Sequence, residues 1–120
     1  MKPIVMQNIA RPEYYSDEGC FISELLNDER SPEVSMAIAR VEPGKSTERH
    51  RLRGIADRYV IVAGEGWVEV GESLSEKVGP GDAVLIPPDC AQRIHNRGQV
   101  DLIFHCVCTP RFRAECYERF

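Results

Sequence analysis

Every apolar run in this 120-residue chain is short, rich in β-branched residues and closed by a turn signal. That pattern constrains the fold more than any other feature. A helical domain needs apolar residues three or four apart sustained over several turns, and no such stretch is present. Short runs at close spacing belong to an all-β sandwich or barrel. The pattern predicts strands over Phe21–Leu26, Val34–Val41, Arg49–Leu52, Arg58–Ala63, Gly66–Val70, Leu74–Val78, Ala83–Ile86, Ala91–His95 and Leu102–Cys108. A further strand is expected near Ile4–Asn8. Around Arg113–Arg119 either a short helix or an extended cover fits the spacing.

The turns have physical causes. Glu42-Pro43-Gly44 places a fixed φ before a permissive one. Gly64-Glu65-Gly66 suits a tight hairpin between two apolar strands. Gly79-Pro80-Gly81-Asp82 is a second cluster, and Ser31-Pro32 marks a loop. Pro87-Pro88 ends a strand, because proline cannot donate to the sheet ladder.

Bulk properties exclude several classes of function. The length bounds the chain to one domain, 1–120, with one core. A net charge of −4 argues against a nucleic-acid partner, since phosphate contact needs a basic surface. No segment approaches the roughly 20 apolar residues of a membrane helix. The opening MKPIVMQNIA lacks the apolar core and cleavage site of a signal peptide, so a cytoplasmic protein is expected. Five cysteines, an odd number without an export signal, fit reduced thiols better than a disulfide framework. Cys106 and Cys108 fall on one side of a strand as small buried residues, with His105 on the other.

Strand alternation then sorts the polar residues by face. If His50 points inward, Glu48 and Leu52 do too, while Arg49, Arg51 and Arg53 point out. Asp57, Tyr59, Ile61 and Ala63 share one face of the next strand, and Arg58, Val60 and Val62 the other. Gln92 and Ile94 share a face opposite Arg93 and His95. The arginines at 49, 51, 53, 58, 93 and 97 read as an outer face paired with acids. In a minority reading, Arg53 or Arg93 reaches a pocket mouth and attracts an anion.

Two segments carry a family resemblance: PGKSTERHRLRGIADRYVIVAG over 43–64 and GPGDAVLIPPDCAQRIHN over 79–96. Together they resemble the two motifs of the cupin superfamily, with Gly44, His50, Gly64, Gly79, Pro87 and Asn96 kept. The resemblance extends to SMAIARVEPG before the first motif and DLIFHCVCTPRFRAECYERF at the end. It implies a small single-domain cupin: a double-stranded β-helix, or jelly-roll barrel, with a pocket at its mouth, commonly a homodimer. For the dimer, Ile4–Met6, Val60 and Val62 offer apolar strand surfaces.

Metal-binding cupins hold a divalent ion with three histidines and one carboxylate. Carried over by position, those sites are His50, Leu52, Asp57 and Gln92 here. Leu52 cannot ligate. The resemblance therefore implies a set of His50, Asp57 and Gln92, which would suit zinc, manganese or iron(II) at reduced affinity. The metal would polarise an organic acid, a sugar or a polyketide-like substrate, with Asp57 or His50 managing the proton. Two other readings stand beside it. One is a metal-free pocket in which the polar trio satisfies itself and binds or senses a small molecule. The other is a metal-free isomerase or epimerase built on His50 and Asp57, with Tyr59 the candidate second acid or base. Tyr59, Ile61, Trp67 and Phe104 are expected to add apolar surface, and Glu48 a rim carboxylate.

Overall fold

The computed structural model describes residues 2–7 and 12–120. Its strands are β1 (Tyr14–Tyr15), β2 (Phe21–Leu26), β3 (Ser35–Val41), β4 (His50–Leu52), β5 (Ala56–Ala63), β6 (Gly66–Val70), β7 (Leu74–Val78), β8 (Ala83–Ile86), β9 (Gln92–His95), β10 (Leu102–Thr109) and β11 (Tyr117–Arg119). They form two antiparallel sheets. The six-stranded sheet runs β1-β2-β3-β10-β5-β8, and the five-stranded sheet runs β11-β4-β9-β6-β7. This is the all-β architecture that the apolar pattern predicts, in the jelly-roll form that the family resemblance implies. No helix among the described residues is long and apolar enough to cross a membrane.

The core lies between the sheets. Inward-facing Val41, Ile61, Ile86, Leu102 and Phe104 of one sheet meet Val68, Val70, Val78 and Ile94 of the other. Burial of this kind is worth about 1.5–3 kcal/mol for each large apolar side chain. Alternation along each strand sends the neighbours outward: on β5, Asp57, Tyr59 and Ile61 are buried while Val60 and Val62 are exposed.

Two residues of the family motifs hold the sheets in register. Gly64 closes the β5–β6 hairpin at φ 79°, and a Cβ there would lie 2.4 Å from the Asp101 carbonyl oxygen. No larger residue fits that approach. Asn96 is almost fully buried, and its Nδ2 donates to the carbonyls of Val41 and Val100, each at 2.8 Å. Its Oδ1 accepts from the Gly98 amide at 2.9 Å. The side chain thus satisfies backbone groups that a loop would otherwise bury unpaired.

The chain ends differ from expectation. Residues 4–7 carry no strand, and Asn8 lies outside the described residues. Ile4 and Val5 are exposed, so no sheet edge gives that segment a ladder. At the other end, a single 3-10 turn at Ala114–Cys116 leads into β11. The extended alternative prevails over 117–119 because β4 has a free edge, which pairs Tyr117 with Leu52 and Arg119 with His50. Neither β1 nor β11 is predicted by the apolar pattern.

The outer arginines are only partly ion-paired. Arg51 and Arg53 reach Glu118 at 2.9 and 3.4 Å. Arg49 and Arg97 sit instead over the rings of Phe120 and Trp67. Arg58 bonds to Thr109, and Arg93 donates to the Thr47 carbonyl. None of the six lines the barrel pocket.

Candidate functional site

A cavity of about 440 Å³ opens between the sheets, and His50, Leu52, Asp57, Tyr59 and Gln92 line it together. All five are at least nine-tenths buried. Parity places them there: β4 turns His50 and Leu52 inward, β5 turns Asp57 and Tyr59 inward, and β9 does the same for Gln92. His50 and Gln92 sit directly opposite each other in the β4–β9 pair.

His50 is fixed in one tautomer. Its Nδ1 lies 2.7 Å from the Glu48 carbonyl oxygen. A carbonyl can only accept, so Nδ1 carries the hydrogen, and in the neutral ring Nε2 has the lone pair. The ring stacks on Tyr117 at 4.8 Å between centroids and 24° between planes. Glu48 contributes this backbone oxygen while its side chain is exposed, which corrects the inward placement read from alternation. The parity fails because Glu48 precedes β4 and has not yet joined the sheet.

Gln92 is held by Tyr59, whose hydroxyl donates to Oε1. The amide nitrogen is therefore the donor side, and it has no hydrogen-bond partner among the described residues. Tyr59 packs on Phe104 at 4.6 Å. Burial, with the nearby Asp57 charge, pushes its phenol well above the usual range. Tyr59 is thus a neutral donor whose hydroxyl hydrogen is directed at Gln92.

Asp57 accepts from the Cys108 thiol at 3.5 Å. Burial pushes its carboxyl up to about 7, opposed by the Cys108 hydrogen bond and helped by the Glu18 charge. Near neutral pH this carboxyl is poised between its two forms. The three cysteines that line the cavity stay as thiols: burial raises Cys20 to about 12 and also pushes Cys106 and Cys108 well up.

Glu18 is the site residue that motif reading missed. It is half-buried, lines the cavity, and lies close enough to His50 to feel its charge. Burial raises its carboxyl and His50 opposes the rise. It sits in the turn before β2, outside both motifs. The tie that brings it to the site is a backbone bond, from the Glu48 amide to the Glu18 carbonyl at 2.8 Å. No side-chain pattern signals that pairing. Tyr117 was missed for the same reason, because β11 is not visible in the apolar pattern.

Other expectations for the site divide. Phe104 lines the cavity, but Ile61 belongs to the core. Trp67 is on the outer face, bonded to Ser75 and covered by Arg97. Here parity decides: Val68, not Trp67, points inward from β6. His95 also lies outside, held between Ser46 at 2.6 Å and Glu69 at 3.1 Å. His105 faces away from the cavity, as its parity predicts.

The donor set was tested against a divalent ion. His50 Nε2 has a free lone pair, and Asp57 has a carboxylate. Gln92 was the third ligand expected; its Oε1 already accepts from Tyr59, which leaves one lone pair, and its amide hydrogens cannot ligate. Leu52 occupies the remaining position. Among the described residues no group of three His, Cys, Asp or Glu side chains is placed to hold a metal. The full three-histidine, one-carboxylate set of metal-binding cupins is not present, because Leu52 and Gln92 stand at two of its histidine positions.

Comparison with known proteins agrees with the geometry. The cupin-domain family profile matches residues 37–108. The chain belongs to the cupin family. An uncharacterised protein of Methanocaldococcus jannaschii, MJ1618, is 32% identical over 104 residues, covering 85% of this chain and 82% of that one. Among solved structures, a variant of Streptomyces PAC13 with uridine superposes with a TM-score of 0.81 at 13% identity, covering 99% of this chain and 92% of that one. PAC13 is described as a nucleoside dehydratase. KdgF from Halomonas superposes with a TM-score of 0.79 at 17% identity, covering 95% of this chain and 98% of that one.

Proposed function

We propose that the barrel pocket binds a small polar organic molecule and transfers protons within it without a metal ion. The supporting observation is the fixed tautomer of His50. With Nδ1–H held by the Glu48 carbonyl, Nε2 presents its lone pair as a general base. Asp57 lines the same cavity, and its carboxyl at about 7 can act as the matching acid. Gln92 offers its amide hydrogens to a substrate oxygen, in the orientation Tyr59 imposes.

The chemistry that such a pair supports follows directly. His50 Nε2 takes a proton from a carbon beside a carbonyl. Asp57 gives its proton to the carbonyl oxygen as charge develops there, and Gln92 donates a hydrogen bond to the same region. Return of a proton to carbon yields an isomer or epimer. Alternatively the enol returns its proton to Asp57 and a neighbouring hydroxyl leaves with the proton that His50 took, which yields water and an unsaturated product. A cavity of about 440 Å³ suits a molecule of sugar or nucleoside size. The description of PAC13 as a nucleoside dehydratase shows that this fold hosts the removal of water elsewhere. It lends the reading support by analogy only.

The test uses chelator-treated protein in deuterium oxide with a panel of small hydroxylated aldehydes and ketones. Deuterium entering the carbon beside the carbonyl is read by NMR. The proposal expects exchange that survives chelation and falls about 100-fold or more in His50→Gln. Exchange that appears only after a divalent metal is restored would overturn it. Binding without exchange across the panel would favour the sensing module instead.

A further inference from the structure

We propose that the ligand of this pocket is an amine-bearing molecule, with a positively charged nitrogen at the mouth and an oxygen acceptor at the deep end. The inference rests on the reading of this cavity as a small-molecule site and adds the chemical class of the occupant.

Two independent observations carry it. The first is the charge of the lining. Asp17, Glu18, Glu24 and Asp57 line the cavity, and no Lys or Arg does so among the described residues. None of the four carboxylates takes part in an ion pair there. Arg111 and Arg113 share a separate groove beyond Glu24, where Arg111 is bonded to Asn27. Arg58 is turned to the outer face. A carboxylate or phosphate ligand would therefore enter a region of like charge, in which His50 is the one lining group able to carry a positive charge among the described residues. An ammonium group would meet carboxylates that outnumber that one partner.

The second observation is Gln92. It is 2% exposed, faces the cavity, and has an amide nitrogen without a partner among the described residues. A donor that faces the cavity and is not used by the protein can receive a ligand oxygen at this end of the pocket. The two ends are separated by burial. Tyr14 and Asp17 are exposed at the opening, and Gln92, His50 and Asp57 are enclosed. The aromatic faces of Tyr14 and Tyr117 also line the cavity, and aromatic faces attract ammonium groups. The roles of the acids divide accordingly. Glu18 and its neighbours match the charge, and Asp57 is left free to give its proton to the carbonyl oxygen.

The test is a titration at neutral pH, in salt high enough to screen the protein's net negative charge. A panel of shape-matched ammonium, neutral and carboxylate compounds is used, with glucosamine, glucose and glucuronate as its first trio. Binding is counted only where it moves the side-chain amide resonances of Gln92. Ammonium members are expected to bind about tenfold or more tightly than their neutral partners, with the carboxylates weakest. The preference should collapse in Glu18→Gln, with melting temperature confirming that the variant is folded. Carboxylates binding as well as ammonium compounds overturns the proposal, as does a preference that survives Glu18→Gln or an absence of ammonium binding. Ammonium preference without chelator-resistant exchange would sink the proton-transfer function and leave the ligand class standing. Exchange without ammonium preference would do the reverse.

Discussion

The Tyr59 hydroxyl donates to Oε1 of Gln92, and that one bond decides which face of the Gln92 amide meets the pocket. It turns the position that the family pattern assigns to a metal ligand into a hydrogen-bond donor. Tyr59→Phe is expected to release the amide and to leave its buried oxygen unpaired. A stability loss of about 1–3 kcal/mol should follow in chemical denaturation. Ligand affinity should fall as well, because the amide no longer has a fixed orientation. Unchanged stability and unchanged Gln92 amide resonances would show that the bond is unimportant.

Asp57 links stability to pH with a definite sign. Its folded carboxyl titrates near 7, above the ordinary 3.8, so the folded state holds the proton more tightly than the unfolded chain. Stability from this group is fully present below about pH 4 and is lost as pH rises towards 7. Asp57→Asn removes the penalty. The variant should gain stability over the parent at pH 8, up to roughly 4 kcal/mol, and little or none at pH 4. A gain of equal size at both values would contradict the assignment.

The same carboxyl shapes the rate. An acid that must be protonated loses its function as pH rises through about 7. The kcat/KM for deuterium exchange should therefore fall on the alkaline side, and Asp57→Asn should exchange slowly without that limb. An alkaline limb that persists in the variant would assign it to another group.

Tyr117 carries a buried hydroxyl with no hydrogen-bond partner among the described residues, although Arg119 lies near it. Tyr117→Phe keeps the stacking on His50 and removes the orphan group. Its stability is expected to match or exceed the parent's by up to about 1 kcal/mol. A loss above that range would reveal a partner for the hydroxyl.

The outward faces of β5 and β8 expose Val60, Val62 and Leu85. A homodimer, the family expectation, would cover such a surface. Val62→Glu should shift sedimentation towards the monomer and leave His50 unperturbed. Sedimentation identical to the parent's would remove this face from any dimer.

Much of the fold is readable in the chain because its cause is local. Alternation along β5 and β9 places Asp57, Tyr59 and Gln92 correctly, since parity needs only the strand itself. Gly64 and Asn96 are readable only through the family motifs, because the contacts that require them, with Asp101 and Val41, are distant in the chain. Glu18 and Tyr117 are not, because each reaches the site through backbone pairing with a distant strand. The orientation of the Gln92 amide is not readable either, because it depends on Tyr59, 33 positions away in the chain.

The central claim is that His50 presents a free Nε2 in a pocket that does not hold a metal. The most direct measurement is the nitrogen NMR spectrum of His50 in chelator-treated protein, before and after one equivalent of zinc. The account predicts a protonated Nδ1 and a bare Nε2, both unchanged by zinc. A zinc-dependent shift at Nε2, accompanied by a change at Asp57, would contradict it.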